Sequence, residues 1–393
     1  MVSNAPLDGV RILDLSTIVA GPFATAILAD QGAQVIKVEE PTLGDRARYL
    51  GSSKNGMSGF FHMVNRGKRA IAVDMKMPEG LAIIKQLAQQ SDVFLHNMRP
   101  GVMERLGLGY ETIKALHPDI IYVSISGFGN EGPAKLKAAH DHIMQCFTGF
   151  AAVQGGSGDP ALVRNIVIDK ITALNAAQAV STALYARATG SPGQHIEISM
   201  LEAAAAFLWV DVPASEALLD SDIKIEPPPA ELCRIYRFAD GWGTVSPSTD
   251  EAFIGMCRAF DLAEADEPKI QTFMDRFNNP EAAEAALAAW EKAIAKVPLK
   301  KAMALLEAAN VPCAPVQSLS EFCSHPHVLE ANVFVESTHP LAGRIREVRP
   351  PARFSHTLTR AGGPAAALGQ DTEAVLGEIG ADIKKLRQAG AVK

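Results

Sequence analysis

The sequence carries no excess of basic charge. Its 44 acidic residues outnumber 37 basic ones, for a formal net charge of −7 at pH 7, which argues against nucleic acid as a partner. No apolar run approaches the roughly 18–20 residues that cross a bilayer, so no membrane partner is expected. The first six residues hold neither a basic block nor an apolar one, and no export signal is read there. Cysteine is scarce. Cys146, Cys233, Cys257, Cys313 and Cys323 are odd in number and scattered, with no C-x-x-C pair. That usage fits reduced thiols in the cytoplasm rather than a disulfide framework or a zinc site. Absent too are a G-x-x-x-x-G-K-[ST] loop, a G-x-S-x-G elbow and H-E-x-x-H, which removes support for an ATPase, a serine hydrolase or a zinc hydrolase.

What is present is a chain of 393 residues, 48% hydrophobic, long enough for a large core and more than one domain. Short β-branched runs alternate with amphipathic stretches. Residues 10–15, 35–39, 70–74, 93–96 and 120–125 read as strands, with helices over 21–30, 79–90 and 112–116. This alternation indicates βαβ units and an α/β fold on a parallel sheet, whose ligands bind at the carboxyl ends of the strands. Residues 170–187 give an Ala-rich helix, stopped by Thr189-Gly190-Ser191-Pro192-Gly193. A strand over 195–200 follows, then an almost wholly apolar helix over 201–209 that is expected to be buried. Pro227-Pro228-Pro229 reads as a linker. Beyond it, a turn over 240–243 and helices over 251–261, 281–296 and 299–309 indicate a smaller, mostly helical domain. Residues 333–393 return to strand and turn chemistry and close with a helix.

Three places offer chemistry. Asp169 follows Ile166-Val167-Ile168 at the mouth of the Ala-rich helix. It reads either as a helix N-cap or as a partly desolvated carboxylate nucleophile near a positive helix end. His140-Asp141-His142 reads either as a solvated loop or as a base with an orienting carboxylate; a metal site would need a third ligand at suitable spacing, and none is found. Asn97-Met98-Arg99-Pro100-Gly101 lies between a strand and a helix. There Arg99 and Arg105 can grip phosphate, with Lys76, Lys37, Arg46 and Arg48 extending a basic rim, or all are ordinary surface charge. Gly155-Gly156-Ser157-Gly158 reads as a turn rather than a phosphate cradle. Trp209, Trp242, Phe238 and Tyr236 read first as core residues and otherwise as an apolar wall.

Taken in order, these segments resemble the class III CoA-transferase family (the CaiB/BaiF type), which also includes formyl-CoA transferase and α-methylacyl-CoA racemase. The resemblance rests on Leu7-Asp8-Gly9-Val10-Arg11-Ile12-Leu13-Asp14-Leu15, Ala20-Gly21-Pro22, Gly32-Ala33-Gln34-Val35-Ile36-Lys37-Val38-Glu39 and Gly44-Asp45. It continues through Asn65-Arg66-Gly67-Lys68-Arg69, Asn97-Met98-Arg99-Pro100-Gly101, Ser126-Gly127-Phe128-Gly129 and Thr189-Gly190. It ends with Val311-Pro312-Cys313-Ala314-Pro315-Val316 and Leu368-Gly369-Gln370.

The resemblance implies a Rossmann-like large domain built from both chain ends (1–225 and 325–393), a smaller α+β domain (226–324) and an interlocked homodimer. It makes Asp169 the catalytic aspartate of an enzyme that moves CoA from an acyl-CoA to a carboxylic acid acceptor through an aspartyl-CoA thioester. Acyl-CoA is then a substrate and no metal is expected. Val19, Ala20, Val73, Lys76, Asn97, Met98, Arg99, Arg105, His140 and Asp141 carry over as CoA contacts, and backbone N–H groups of nearby glycine turns as oxyanion donors. Glu40 stands where relatives commonly place an arginine. The lid of formyl-CoA transferase has no clear counterpart, and 240–248 is the nearest stretch. His140 also matches the racemase branch, in which it and Asp169 would be two bases about one α-carbon. A CoA-binding protein without activity is the third reading.

Overall fold

The computed structural model describes residues 5–211, 214–224, 233–359 and 362–393; the linker read from Pro227-Pro228-Pro229 lies outside the described residues. Contacts divide the chain into two units, Met1–Val210 with Glu330–Lys393, and Asp211–Leu329.

The first unit is built on β1 (Arg11–Asp14), α1 (Ala20–Asp30), β2 (Gln34–Glu39), α2 (Gly59–Asn65), β3 (Arg69–Ala72), α3 (Pro78–Ala88) and β4 (Val93–His96). It continues with α4 (Tyr110–Leu116), β5 (Ile121–Ser126), α5 (Asp141–Phe147), α6 (Val167–Ala188), β6 (His195–Ser199) and α7 (Met200–Leu208). The strands are parallel in the order β3-β2-β1-β4-β5-β6. Strand order therefore reverses between β1 and β4, where open α/β sheets open their ligand crevice. β4 is buried along its whole length, as a central parallel strand is, and β5 is apolar through Ile121, Val123 and Ile125 on one face while the other carries Tyr122, Ser124 and Ser126. Val93 and Leu95 pack with Ala24, Leu28, Ala173, Ala176 and Val180 of α1 and α6, while Phe94 turns to Ile84, Leu87 and Tyr122 on the other face. The alanines let α1 and α6 lie close against the sheet.

The strands and helices read in this unit are all present, with ends shifted by up to three residues. α2 is an addition, started by Ser58, whose Oγ accepts the Phe61 N–H at 3.2 Å. The run Gly127-Phe128-Gly129-Asn130-Glu131-Gly132 after β5 spells G-x-G-x-x-G, but the next helix begins only at Asp141, so it opens no dinucleotide-binding helix. α7 corrects an expectation: Ala203, Ala204 and Leu208 are buried, but Phe207 and Trp209 are 54% and 57% exposed. Burying an apolar helix on every side needs neighbours all round, and the single chain supplies them on one side.

The chain end covers the sheet edge. Ala70 and Asp371 exchange hydrogen bonds through Ala70 N–H to the Asp371 carboxylate (2.8 Å) and Asp371 N–H to the Ala70 carbonyl (2.9 Å). The Thr372 hydroxyl accepts from Ala72 N–H at 3.1 Å. The otherwise open donors of β3 are thereby satisfied. The strands of the 333–393 stretch form an antiparallel hairpin, Phe334–His339 with Gly343–Val348, apart from the parallel sheet.

In the second unit, Ile235–Arg237, Trp242–Val245 and Cys313–Pro315 form an antiparallel sheet with Trp242–Val245 in the centre. Helices Asp250–Arg258, Pro280–Ile294 and Leu299–Ala308 pack on it around fully buried Trp290 and Phe238. Tyr236 stacks edge-on to Trp290 at 4.9 Å, whereas Trp242 is half exposed beside Arg237. The central strand also overturns 240–248 as a lid, because a segment hydrogen-bonded on both sides is not free to open.

Candidate active site

The loops leaving β1 and β4 meet at the switch point. Asn97 joins them: its side-chain carbonyl accepts the Thr17 N–H at 2.9 Å and its amide donates to the Thr17 carbonyl at 2.8 Å. The next residue, Ile18, has φ 69°, a conformation costly for a β-branched side chain and seldom kept without a use. Its N–H is held by both carboxylate oxygens of Asp45, each at 3.1 Å. Asp45 is anchored in turn by buried Lys37 at 3.0 Å.

Beneath this loop lies a buried charge cluster. Asp14, at the end of β1, accepts from Ser16 N–H (2.9 Å), the Thr25 hydroxyl (2.6 Å) and Lys68 Nζ (2.9 Å). Burial alone would raise its pKa, but Lys68, Lys37 and the two hydroxyls overcome that and hold the carboxyl well below the usual range. Burial pushes Lys68 down to about 8 in spite of Asp14. Lys68 also reaches the Pro22 carbonyl (2.8 Å) and Asn65 (2.9 Å), which ties the first turn of α1 to α2. Gly21 is required there, since a Cβ would stand 2.2 Å from Ser16 Cβ.

Across from the start of α1 is the start of α6, with Asp169 in its first turn. The N-cap position belongs to Ile166, which has no capping side chain, so the cap reading of Asp169 is corrected. Capping comes from Asp141, whose Oδ1 accepts the N–H groups of Ile168 (2.7 Å) and Asp169 (3.2 Å). Asp141 is buried and fixed by Gln145 Nε2 at 2.6 Å, and Gln145 further holds Val163 N–H at 2.9 Å. The Ala20 N–H of α1 faces the Asp169 carboxylate and favours its charged form. Burial, then the negative charge of Asp141, raise its pKa to about 7 against that one donor. A carboxylate so placed is half ionised near neutrality and poorly solvated, both favourable to nucleophilic attack.

The other expected residues fall in several places. His140 is the exposed residue before α5, its ring parallel to His142 at 6.2 Å. Val19, the N-cap residue Ile166 and Lys170 of α6 line a 740 Å3 cavity. Met98 and Arg99 line a separate 210 Å3 cavity beyond β4 and β5 with His96, Ser124 and His195. Lys76, Arg46 and Arg105 are exposed. Val73 is fully enclosed, packed in the core and bridged to Val392, which leaves its side chain no surface for a ligand. Lys37 and Arg48 are corrections. Both are buried, Lys37 on Asp45 and Arg48 on Glu39 at 2.6 Å and over the Phe61 ring. They are structural ion pairs rather than rim, because acids buried beside them demand cations. Glu40 closes its own loop on Thr42 and Gly44 N–H groups. Of Gly155-Gly156-Ser157-Gly158, Gly155 ends the helix Phe150–Gly155 and the other three form the turn after it.

Sequence reasoning gave no role to Asp14, Ile18, Asp45, Lys68 or Gln145. Gly44-Asp45 and Asn65-Arg66-Gly67-Lys68-Arg69 were visible as motifs, but their partners lie on other elements.

The profile of CoA-transferase family III matches residues 7–372. Succinyl-CoA:glutarate CoA-transferase of Mus musculus is 34% identical over 388 residues, covering 96% of this chain and 87% of that protein. Succinyl-CoA–D-citramalate CoA-transferase of Chloroflexus aurantiacus is 31% identical over 382 residues, covering 95% and 94%. A CaiB/BaiF family protein from Brucella suis superimposes with a TM-score of 0.82 at 28% identity, over 96% of this chain and all of that one. The transferase names of these relatives do not favour the racemase reading, nor the reading without activity.

Proposed function

The chain belongs to CoA-transferase family III and is an enzyme of that type; on that premise we propose that Asp169 is its nucleophile and carries CoA between two carboxylic acids. The single observation that carries this reading is the Asp169 carboxylate in the first turn of α6, facing the Ala20 N–H, with its pKa raised to about 7.

In the proposed sequence, ionised Asp169 attacks the thioester carbonyl of the donor. The C–S bond breaks, leaving a mixed aspartyl anhydride and CoA thiolate. The thiolate attacks the Asp169 carbonyl, expels the donor acid as its carboxylate and forms aspartyl-CoA. The acceptor carboxylate repeats the two steps in reverse order. The helix's first amides are already taken, by Asn165 for Val167 and by Asp141 for Ile168 and Asp169. Ala20 N–H, which already faces Asp169, is therefore the donor for the oxyanion that develops on the Asp169 carbonyl when the thiolate attacks it, and the locked Thr17–Val19 loop holds it there without reorganisation. Asn97, Met98, Arg99, Arg105 and Lys76 remain the proposed CoA contacts.

The donor we propose is succinyl-CoA, the donor named for the mouse and Chloroflexus relatives, with a dicarboxylic acid as acceptor. An interlocked homodimer is part of the reading. Support comes from the uncovered apolar face of α7 with Phe207 and Trp209, the kind of surface that marks an interface. Incubation with succinyl-CoA and glutarate, followed by chromatography of the CoA esters, tests the reading; appearance of glutaryl-CoA that vanishes in Asp169→Ala supports it, and undiminished turnover in that variant refutes it.

A further inference from the structure

α1 starts without a cap of its own. Val19 stands at its N-cap position and gives the first turn no side-chain acceptor, so the aim of the Ala20 N–H comes from outside the helix. Ser16, Asp14 and Lys68 supply it. Gly21 lies so close to Ser16 that a Cβ would stand 2.2 Å from the Ser16 Cβ. The Thr25 hydroxyl donates to Asp14 at 2.6 Å. Lys68 Nζ donates to the Pro22 carbonyl at 2.8 Å, two residues from Ala20.

Lys68 differs from the other two in how much else it holds. It stands just before β3, and its side chain is almost wholly buried. Besides Pro22 of α1 it reaches Asp14 at the end of β1 and Asn65 at the end of α2, both at 2.9 Å. An ammonium has three N–H donors and no acceptor, so this one is matched bond for bond. Without its proton, the amine would turn two donors and a lone pair towards three acceptors, one of them a carboxylate. One bond is then given up, and the first turn of α1 is held less firmly.

The surrounding charges decide which buried lysine can lose a proton. Burial pushes the Lys68 pKa down to about 8, although Asp14 on β1 and Asp45 in the loop after β2 oppose it; Lys37 on β2 adds to the fall. Lys37 goes the other way. Burial works against its charge too, but Asp45, Asp14 and Glu39 outweigh it and hold its pKa above the usual lysine value. Lys68, not Lys37, is therefore the group that titrates just above neutrality.

We propose that Lys68 is a positioning residue for CoA transfer: its three hydrogen bonds fix the first turn of α1 so that the Ala20 N–H meets the oxyanion on Asp169, and transfer slows when one of them is given up. The proposal rests on the transferase reading for the role of Asp169. Lys68 acts through α1 rather than on the reacting atoms. Asp169 must lose a proton and Lys68 must keep one, so kcat should pass through a maximum between about pH 7 and about pH 8.

The test reads the Ala20 N–H itself. Val19-Ala20 is the one Val-Ala pair in the sequence. Full-length protein with valine labelled at its carbonyl carbon and alanine at its nitrogen therefore gives a single carbonyl-selected amide signal by NMR. In the wild type this signal should shift in two steps, near pH 7 with Asp169 and near pH 8 with Lys68. Asp169→Asn should remove the first step alone. Lys68→Arg, which keeps its charge throughout, should remove the second alone. Activity with succinyl-CoA and glutarate follows. Wild-type kcat should fall about 10-fold per pH unit beyond the second step, and Lys68→Arg should lack that fall. Lys68→Met should show kcat about 10-fold lower at neutral pH, with KM for succinyl-CoA unchanged. The proposal is overturned if the wild-type signal shows no step near pH 8, or if the alkaline fall survives in Lys68→Arg. The wild-type titration decides the matter even if neither lysine variant folds. Two steps in a protein that transfers CoA to no acid would leave Lys68 aiming the amide and count against the transferase reading instead.

Discussion

Asp141 caps the helix that carries Asp169, accepting the Ile168 N–H at 2.7 Å and the Asp169 N–H at 3.2 Å on one oxygen. The same carboxylate that orders the first turn of α6 also places a negative charge beside the nucleophile and helps to lift its pKa to about 7. Structure and reactivity are coupled through this one residue, and its substitution should separate them.

Attack requires ionised Asp169, so kcat/KM should rise with pH through about 7. Asp141→Asn removes the like charge and should move this acidic limb downward, measured as a pH profile. The variant also sets its amide against the Gln145 Nε2 that now donates to Asp141, so a stability loss on the order of 1–2 kcal/mol is expected. An unmoved limb would contradict the coupling.

Asp169 itself should lower stability at neutral pH. Its folded pKa lies above the unfolded value of 3.8, so the unfolded state gives up the proton first. The penalty is complete above pH 7 and fades as pH falls towards 4. Asp169→Asn is therefore expected to unfold at higher denaturant than wild type at pH 8, with the gap closing by pH 4. Urea titrations at the two pH values check this.

Asp45→Asn leaves Lys37 buried without its nearest counter-charge and loosens both bonds to Ile18 N–H. Loss of one partner of a buried pair costs about 3–5 kcal/mol, so a large fall in denaturation midpoint is expected. Ile18→Gly separates the loop from the ion pair. Glycine accepts φ 69° freely, so stability should hold within about 1 kcal/mol. kcat should nonetheless drop about 10-fold as the Ala20 N–H loses its fixed aim. Unchanged kcat would remove the loop from the mechanism.

Gly21→Ala would drive a Cβ to 2.2 Å from Ser16 Cβ. Two backbone-proximal atoms cannot both stay, and the overpacking should cost ~1–3 kcal/mol. Thermal unfolding gives the size of the effect.

Much of this could be read from one chain. The parallel strands announced themselves because short β-branched runs such as 93–96 and 120–125 alternate with amphipathic stretches, and Asp169 stood out at the head of a long Ala-rich helix. What could not be read depends on residues brought in from elsewhere. Asp141 caps a helix that begins 26 residues later, and nothing local marks the pairing. Lys37 and Arg48 look like surface cations until Asp45 and Glu39 are buried beside them. α7 looks like core because its composition is apolar, while the single chain covers only one of its faces.

The account turns on Asp169 as a covalent carrier, and trapping the intermediate tests it most directly. The enzyme is mixed with succinyl-CoA without acceptor, treated with hydroxylamine or borohydride, digested and weighed by mass spectrometry. The account predicts a hydroxamate or a reduced side chain on the peptide at Asp169, absent from Asp169→Asn. Turnover that proceeds with that peptide unmodified, or a label on another residue, would contradict it.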